Sequence, residues 1–214
     1  ENSLPAFLAE GLGTDPLTTA EENRALTIGQ TSSRLMAAKA ASADRKVQVP
    51  PLTPVQFLYA ELHQEAPSEQ LTSRFADVVY YNYATDEVLR QIIDLKNSRI
   101  KEESVTSGIT HQPFVTQLET EASFSILLGH PKFGPMLRSI YARSSKKPLV
   151  SSDQLRAQAG LLFPSSKIGT PLEDLTRVCE THRCVQIFLH GENDTLIDTN
   201  NIVIDLSAGT VLWR

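Results

Sequence analysis

Residues 202–213 read IVIDLSAGTVLW, and residues 90–100 read RQIIDLKNSRI. In each stretch a β-branched run ends in Asp-Leu, a short polar turn follows, and a second strand begins. This is the pattern of a β-hairpin. Its recurrence predicts that one α+β module occurs twice, first in residues 1–108, which include an N-terminal entry segment, and again in residues 109–214.

Size and composition are those of an ordinary globular protein with two small domains. The 214 residues are 41% hydrophobic and 21% charged, so each half can bury a modest core. A formal net charge of −5 argues against a nucleic-acid partner, because phosphate binding needs a basic face. No apolar run approaches the length of about 18 residues that a membrane span requires.

The first half predicts a helix followed by four antiparallel strands. Thr18 and Thr19 are candidate N-caps, and Glu21 and Glu22 lie in the first turn, where the helix dipole favours anions. Gly29 and the Thr-Ser-Ser run that follows it weaken the second half of this helix. The alternating apolar runs predict strands at Val55–His63, Phe75–Tyr83, Leu89–Asp94 and Arg99–Val105.

The second half repeats this order. A helix is predicted at Phe114–Leu128, with Val115 and Leu118 facing the core and Glu119 and Glu121 facing outward. A shorter helix follows at Phe133–Tyr141, and residues 165–176 are interpreted as loop. Strands are predicted at Leu155–Phe163, Cys184–His190, Ile202–Leu206 and Thr210–Trp213.

The order of elements resembles the two small domains that precede the catalytic domain in copper amine oxidases. The residues that carry the resemblance are 15–18 with 20–22 at the first helix, and 92–95 and 203–206 in the strands. The resemblance implies tandem cystatin-like modules, each a helix packed on a four-stranded antiparallel sheet. A similar hairpin pattern also occurs in peptidase-propeptide-type domains.

The copper and quinone chemistry of that family is not expected in this chain. The family's modified tyrosine lies in an Asn-Tyr-Asp/Glu motif, whereas Asn82-Tyr83 is followed by Ala84. Two of its three copper ligands form a His-x-His motif, which the sequence lacks. We therefore expect no cofactor, no metal and no catalytic residue, and we interpret Tyr83 as a packing residue.

Cys179 and Cys184 are the only cysteines, and His182 lies between them. The pair is compatible with a disulfide in an oxidising compartment, with two free thiols, or with a zinc site that lacks a fourth ligand. Asn193 begins an Asn-Asp-Thr sequon and is a glycosylation candidate. Asp94 and Asp205 end equivalent strands, where an aspartate typically accepts hydrogen bonds from turn amides.

The histidines at positions 63, 111, 130, 182 and 190 are interpreted as surface or capping residues. These observations favour a non-catalytic binding or scaffolding protein that is secreted or periplasmic and has an unknown protein partner or self-associates. Its working surfaces are then open sheet edges and a concave sheet face. The alternative is a small-molecule binder or an enzyme with a site at the junction of the two modules.

Overall fold

The computed structural model describes residues 15–45, 49–63, 74–108, 112–150, 154–191 and 196–213. In these residues the chain is an α+β protein with five α-helices and two antiparallel sheets. It divides into two compact units. The first takes the described residues of Glu1–Asp44 and Val55–Ser107, and the second takes those of Arg45–Pro54 and Gly108–Arg214.

The first unit contains two helices and a four-stranded sheet in which the strands follow chain order. The helices are α1 (Thr19–Gly29) and α2 (Ser33–Ala41). The strands are β1 (Val55–Leu62), β2 (Phe75–Asn82), β3 (Glu87–Asp94) and β4 (Arg99–Ser107). All four predicted strands are confirmed, with ends that shift by at most two residues.

Capping residues decide where the two helices of the first unit begin. Thr18 and Glu21 form a capping box, in which each side chain accepts a hydrogen bond from the other residue's backbone N–H. The predicted weak point after Gly29 is a break, because Ser32 starts α2 by accepting a hydrogen bond from the N–H of Leu35 at 3.0 Å. Leu35 and Ala25 are fully buried against Val78 and Tyr80 of β2.

The second unit contains three helices and a five-stranded sheet. Its helices are α3 (Gln117–Gly129), α4 (Phe133–Ser145) and the short α5 (Glu173–Thr176). Its strands are β5 (Arg156–Leu161), β6 (Cys184–His190), β7 (Leu196–Ile197), β8 (Ile202–Asp205) and β9 (Thr210–Trp213). The sheet order is β5-β6-β8-β9, and β7 pairs with β6.

The prediction of a loop at residues 165–176 is wrong in part, because this segment contains a 3₁₀ helix at Pro164–Lys167 and then α5. These helices are only four residues long, too short to produce a periodic apolar pattern. They pack Leu172 into a buried cluster with Leu162 and Val203.

The predicted orientation of α3 is wrong in part: Ala122 is buried and Glu121 is exposed, as predicted, but two other positions differ. Glu119 is fully buried, whereas Leu118 is 40% exposed. Glu119 turns inward because it closes a capping box with Thr116 and also pairs with the buried guanidinium of Arg183. The charge of Glu119 is neutralised inside the unit, so burial does not require an apolar side chain at this position.

In each unit, the buried glutamate of a capping box forms an ion pair with an arginine. In the first unit Arg74 donates from Nε to Glu21 at 2.7 Å and from Nη2 to the carbonyl oxygen of Asp15 at 3.1 Å. In the second unit Arg183 donates from Nη2 to Glu119 at 3.0 Å and to the carbonyl oxygen of Pro113 at 3.0 Å. Each arginine lies directly before a central strand, β2 or β6. Its side chain therefore connects the start of that strand to the start of a helix.

Candidate functional site

A groove of about 540 Å³ lies on the second unit between α3 and the strand β5. One wall is a single face of α3, since its lining positions follow the i, i+3, i+4, i+7, i+8 spacing of a helix. The wall residues are Gln117, Thr120, Glu121, Phe124 and Ser125. The groove is within the size range of known ligand pockets, about 300–1,000 Å³.

The opposite wall comes from Leu155 and Ala157, next to the exposed prolines Pro50 and Pro51. Ala157 pairs with Leu189 of β6, and Leu189 is fully buried. Side chains of paired residues share one face of a sheet, so Ala157 faces the helix. The small methyl group at this position leaves the space that forms the groove.

The strand β5 is an edge of the described sheet, because β6 is its only partner there. The N–H of Leu162 donates to the carbonyl oxygen of Cys184 at 3.0 Å and continues the β5–β6 ladder. In an antiparallel ladder the backbone groups of alternate residues point toward the partner strand. It follows that the N–H and C=O groups of Ala157 and Ala159 point away from β6, toward the open edge.

Among the described residues that line the groove, Glu121 is the one with a charged side chain. Its Oε1 accepts a hydrogen bond from the side-chain amide of Gln117 at 3.1 Å, and the residue is solvent-exposed. Phe124 and Leu155 also line the groove, and these apolar residues are only 2% and 5% exposed. The groove thus combines a mainly polar helix face, two largely buried apolar residues, an edge strand and the carboxylate of Glu121.

The predicted disulfide is confirmed, with Cys179 and Cys184 joined and their Cα atoms 5.5 Å apart. Both cysteines belong to the buried cluster around Leu162 and Leu172. Cys184 is the first residue of β6, so the bond attaches the start of this strand to the 3₁₀ helix Arg177–Glu180. His182 does not form a zinc site with the two cysteines, which are bonded to each other. Its Nδ1 lies 2.8 Å from Oδ2 of Asp205.

Replacing both cysteines with alanine is expected to lower the free energy of unfolding of the second unit by about 2 kcal/mol. The bond closes a loop with a sequence separation of 5, and a loop this short removes only that much chain entropy from the unfolded state. Trp213, the only tryptophan, reports unfolding in urea by fluorescence. Wild-type protein in reductant is the control and should match the variant. Two reactive thiols in unreduced, denatured wild-type protein would contradict the bond.

The two strand-ending aspartates have the predicted role in turns. Asp94 accepts a hydrogen bond from the N–H of Asn97 at 3.0 Å, and Asp205 accepts one from the N–H of Ala208 at 2.8 Å. Burial acts to raise the pKa of Asp94, but hydrogen bonds from Asn97 and the charge of Arg99 outweigh it and hold the pKa below its ordinary value.

The remaining sequence candidates are distributed over separate places. Tyr83 is buried and its ring centroid lies 4.9 Å from that of Tyr81, as expected of a packing residue. His130 accepts a hydrogen bond from the N–H of Lys132 at 3.2 Å and so acts near the start of α4. His111 and the glycosylation candidate Asn193 lie outside the described residues.

Within the described ranges, no group of three or more His, Cys, Asp or Glu side chains could hold a metal ion. The helices in the described part of the chain are also too short or too polar to cross a membrane. No protein-family model matches the sequence, and no curated protein matches it.

Proposed function

We propose that the chain is a non-catalytic, exported binding or scaffolding protein built from two cystatin-like modules. In this proposal it resembles the accessory domains of copper amine oxidases, and the groove beside β5 is its binding surface for a protein partner. The groove is the observation that carries the proposal. A trough between a helix and an edge strand can hold an extended segment of a partner, which then adds to the sheet.

The two-module part of the proposal is supported by contacts that recur in both units. Phe75 pairs with Asp94 in the first unit, and Cys184 pairs with Asp205 in the second. The N–H of Leu95 donates to the carbonyl oxygen of Arg74 at 3.1 Å. In the second unit the N–H of Leu206 donates to the carbonyl oxygen of Arg183 at 2.9 Å. A repeated register with repeated buried ion pairs is expected of a duplicated module.

The turns support the same interpretation. Ser98 and Gly209 have φ values of 51° and 66°, and each precedes the strand that completes its hairpin. Only a few residue types adopt this left-handed conformation readily, so its recurrence at one turn position reflects a shared backbone path.

Export is supported by the disulfide. Disulfides form and persist in oxidising compartments and are rare in the cytosol. The bond in the second unit is buried in a core cluster, where it contributes to the packing of β6. We accordingly assign the protein to the secreted or periplasmic class.

Filling the groove is expected to abolish partner binding without unfolding the protein. Ala157→Trp places a large ring on the groove side of β5, whereas Gln158→Trp places the same ring on the opposite, exposed side of that strand. A library of random linear peptides displayed on phage is panned on wild-type protein, and the retained peptides are measured against both variants. Ala157→Trp should lose at least about tenfold in affinity, and Gln158→Trp should bind as wild type does.

Circular dichroism confirms that both variants are folded before binding is compared. Retained peptides that bind Ala157→Trp and the wild type equally would overturn the assignment of the groove. Failure of the folded wild-type protein to retain any peptide would overturn the proposed function.

A further inference from the structure

The open edge of β5 is complementary to a partner whose backbone is extended. The N–H and C=O groups of Ala157 and Ala159 point away from β6 at a two-residue spacing. An extended polypeptide presents donors and acceptors at this same spacing, and a helix does not, because its backbone groups are already paired. The edge is therefore complementary to a strand.

The groove also receives side chains from such a strand. Alternate residues of an added strand point to the same face as Ala157, toward α3. There they meet the groove lining, which includes the largely buried apolar residues Phe124 and Leu155. An apolar side chain at one of these positions would lose water-exposed surface on binding, which favours the complex.

The carboxylate at the rim of the groove favours a bound segment that carries a positive charge. Glu121 is exposed on the facing wall of α3, and none of the lining residues that the structure describes is cationic. A lysine or arginine of the bound segment would place a positive charge near this carboxylate. The formal net charge of −5 also favours the approach of a basic partner.

We infer that the groove binds an extended peptide segment of another protein that pairs with the edge of β5 and places a basic side chain against Glu121. This inference rests on the proposed function and names the class of partner. It assigns two separate sources of recognition. Backbone pairing with Ala157 and Ala159 orders the peptide, and Glu121 distinguishes basic peptides from neutral and acidic ones.

The test uses peptides selected by panning on the wild-type protein, with affinities measured by fluorescence anisotropy. The selected sequences should be enriched in lysine or arginine at one position. Glu121→Gln should weaken binding about two- to fivefold, which is the effect expected of a solvent-exposed ion pair. Glu102→Gln is the matched control, because it removes the same charge from exposed strand β4 of the first unit and should leave affinity unchanged.

Two further peptide variants separate charge from backbone pairing. Replacing the enriched basic residue with alanine should make the affinities for the wild type and Glu121→Gln equal, since the two charges act as a pair. Methylation of backbone nitrogens should cost about tenfold or more at alternate positions only, because alternate N–H groups face β5.

The outcomes distinguish this inference from the proposed function. Selected peptides without a basic residue, or with equal affinity for the wild type and Glu121→Gln, would overturn the inference and leave the groove as a binding surface. Methylation that is equally harmful at every position would overturn strand pairing. Retention of no peptide by the folded wild-type protein would overturn both the inference and the proposed function.

Discussion

Arg183→Met is expected to lower the free energy of unfolding of the second unit by about 3–5 kcal/mol. Arg183 is fully buried, and its guanidinium donates to Glu119 and to the carbonyl oxygens of Pro113 and Phe114. Methionine occupies much of the same volume but carries no charge. The variant therefore leaves the carboxylate of Glu119 buried without its cation, which is far more costly than losing the contact itself.

The measurement is urea unfolding followed by the fluorescence of Trp213, which lies in β9 of the second unit. Arg177→Met is the matched control, because the side chains of Arg177 and Asp174 are 69% and 80% exposed and lie 3.4 Å apart. An ion pair this exposed contributes little, so the control should stay within about 0.5 kcal/mol of the wild type. Equal losses in the two variants would show that the buried pair has no special role.

A second large effect is expected at alkaline pH, where the first unit should lose about 2 kcal/mol of stability between pH 10 and pH 12. Burial raises the pKa of Tyr80 from 10.0 to about 12. Tyr80 is 3% exposed, and its buried hydroxyl has no hydrogen-bond partner among the residues that the structure describes. An ionised phenolate would be poorly solvated at this position, which is why the proton is held more tightly in the folded state.

Proton linkage explains why the stability of the first unit falls as the pH rises. Below pH 10 the hydroxyl is neutral in both states, and its contribution to stability is fully present. As the pH rises toward 12, the unfolded state ionises first and is stabilised, so the contribution is lost.

Tyr80→Phe is the control, because it keeps the ring and removes the ionisable group. The free energy of unfolding, measured by circular dichroism in urea at each pH, should fall less steeply in Tyr80→Phe than in the wild type. Curves that fall in parallel would contradict the raised pKa of Tyr80.

Much of the sheet architecture could be predicted from the sequence. Strands β1 to β3 are rich in apolar, β-branched and aromatic residues, and the Asp-Leu turns of the two hairpins carry strong local signals. The turn roles of Asp94 and Asp205 were predicted for the same reason, since an aspartate before a tight turn acts through its nearest neighbours. The disulfide had only one possible pairing.

The features that were missed depend on contacts between distant residues. Glu119 and Arg183 are 64 residues apart, and neither residue has a local signal that indicates burial. The groove is also non-local, because it needs the polar face of α3 to lie opposite a small residue of β5. The polar stripe of α3 and the alanines at 157 and 159 were visible in the sequence, but their juxtaposition is a property of the fold.

The measurement that tests the binding proposal most directly is a crystal structure of the protein with a peptide selected by panning. We expect the peptide to be extended between α3 and β5, with backbone hydrogen bonds to Ala157 and Ala159 and a basic side chain within ion-pair distance of Glu121. A peptide bound on another surface, or bound in this groove as a helix, would contradict the account.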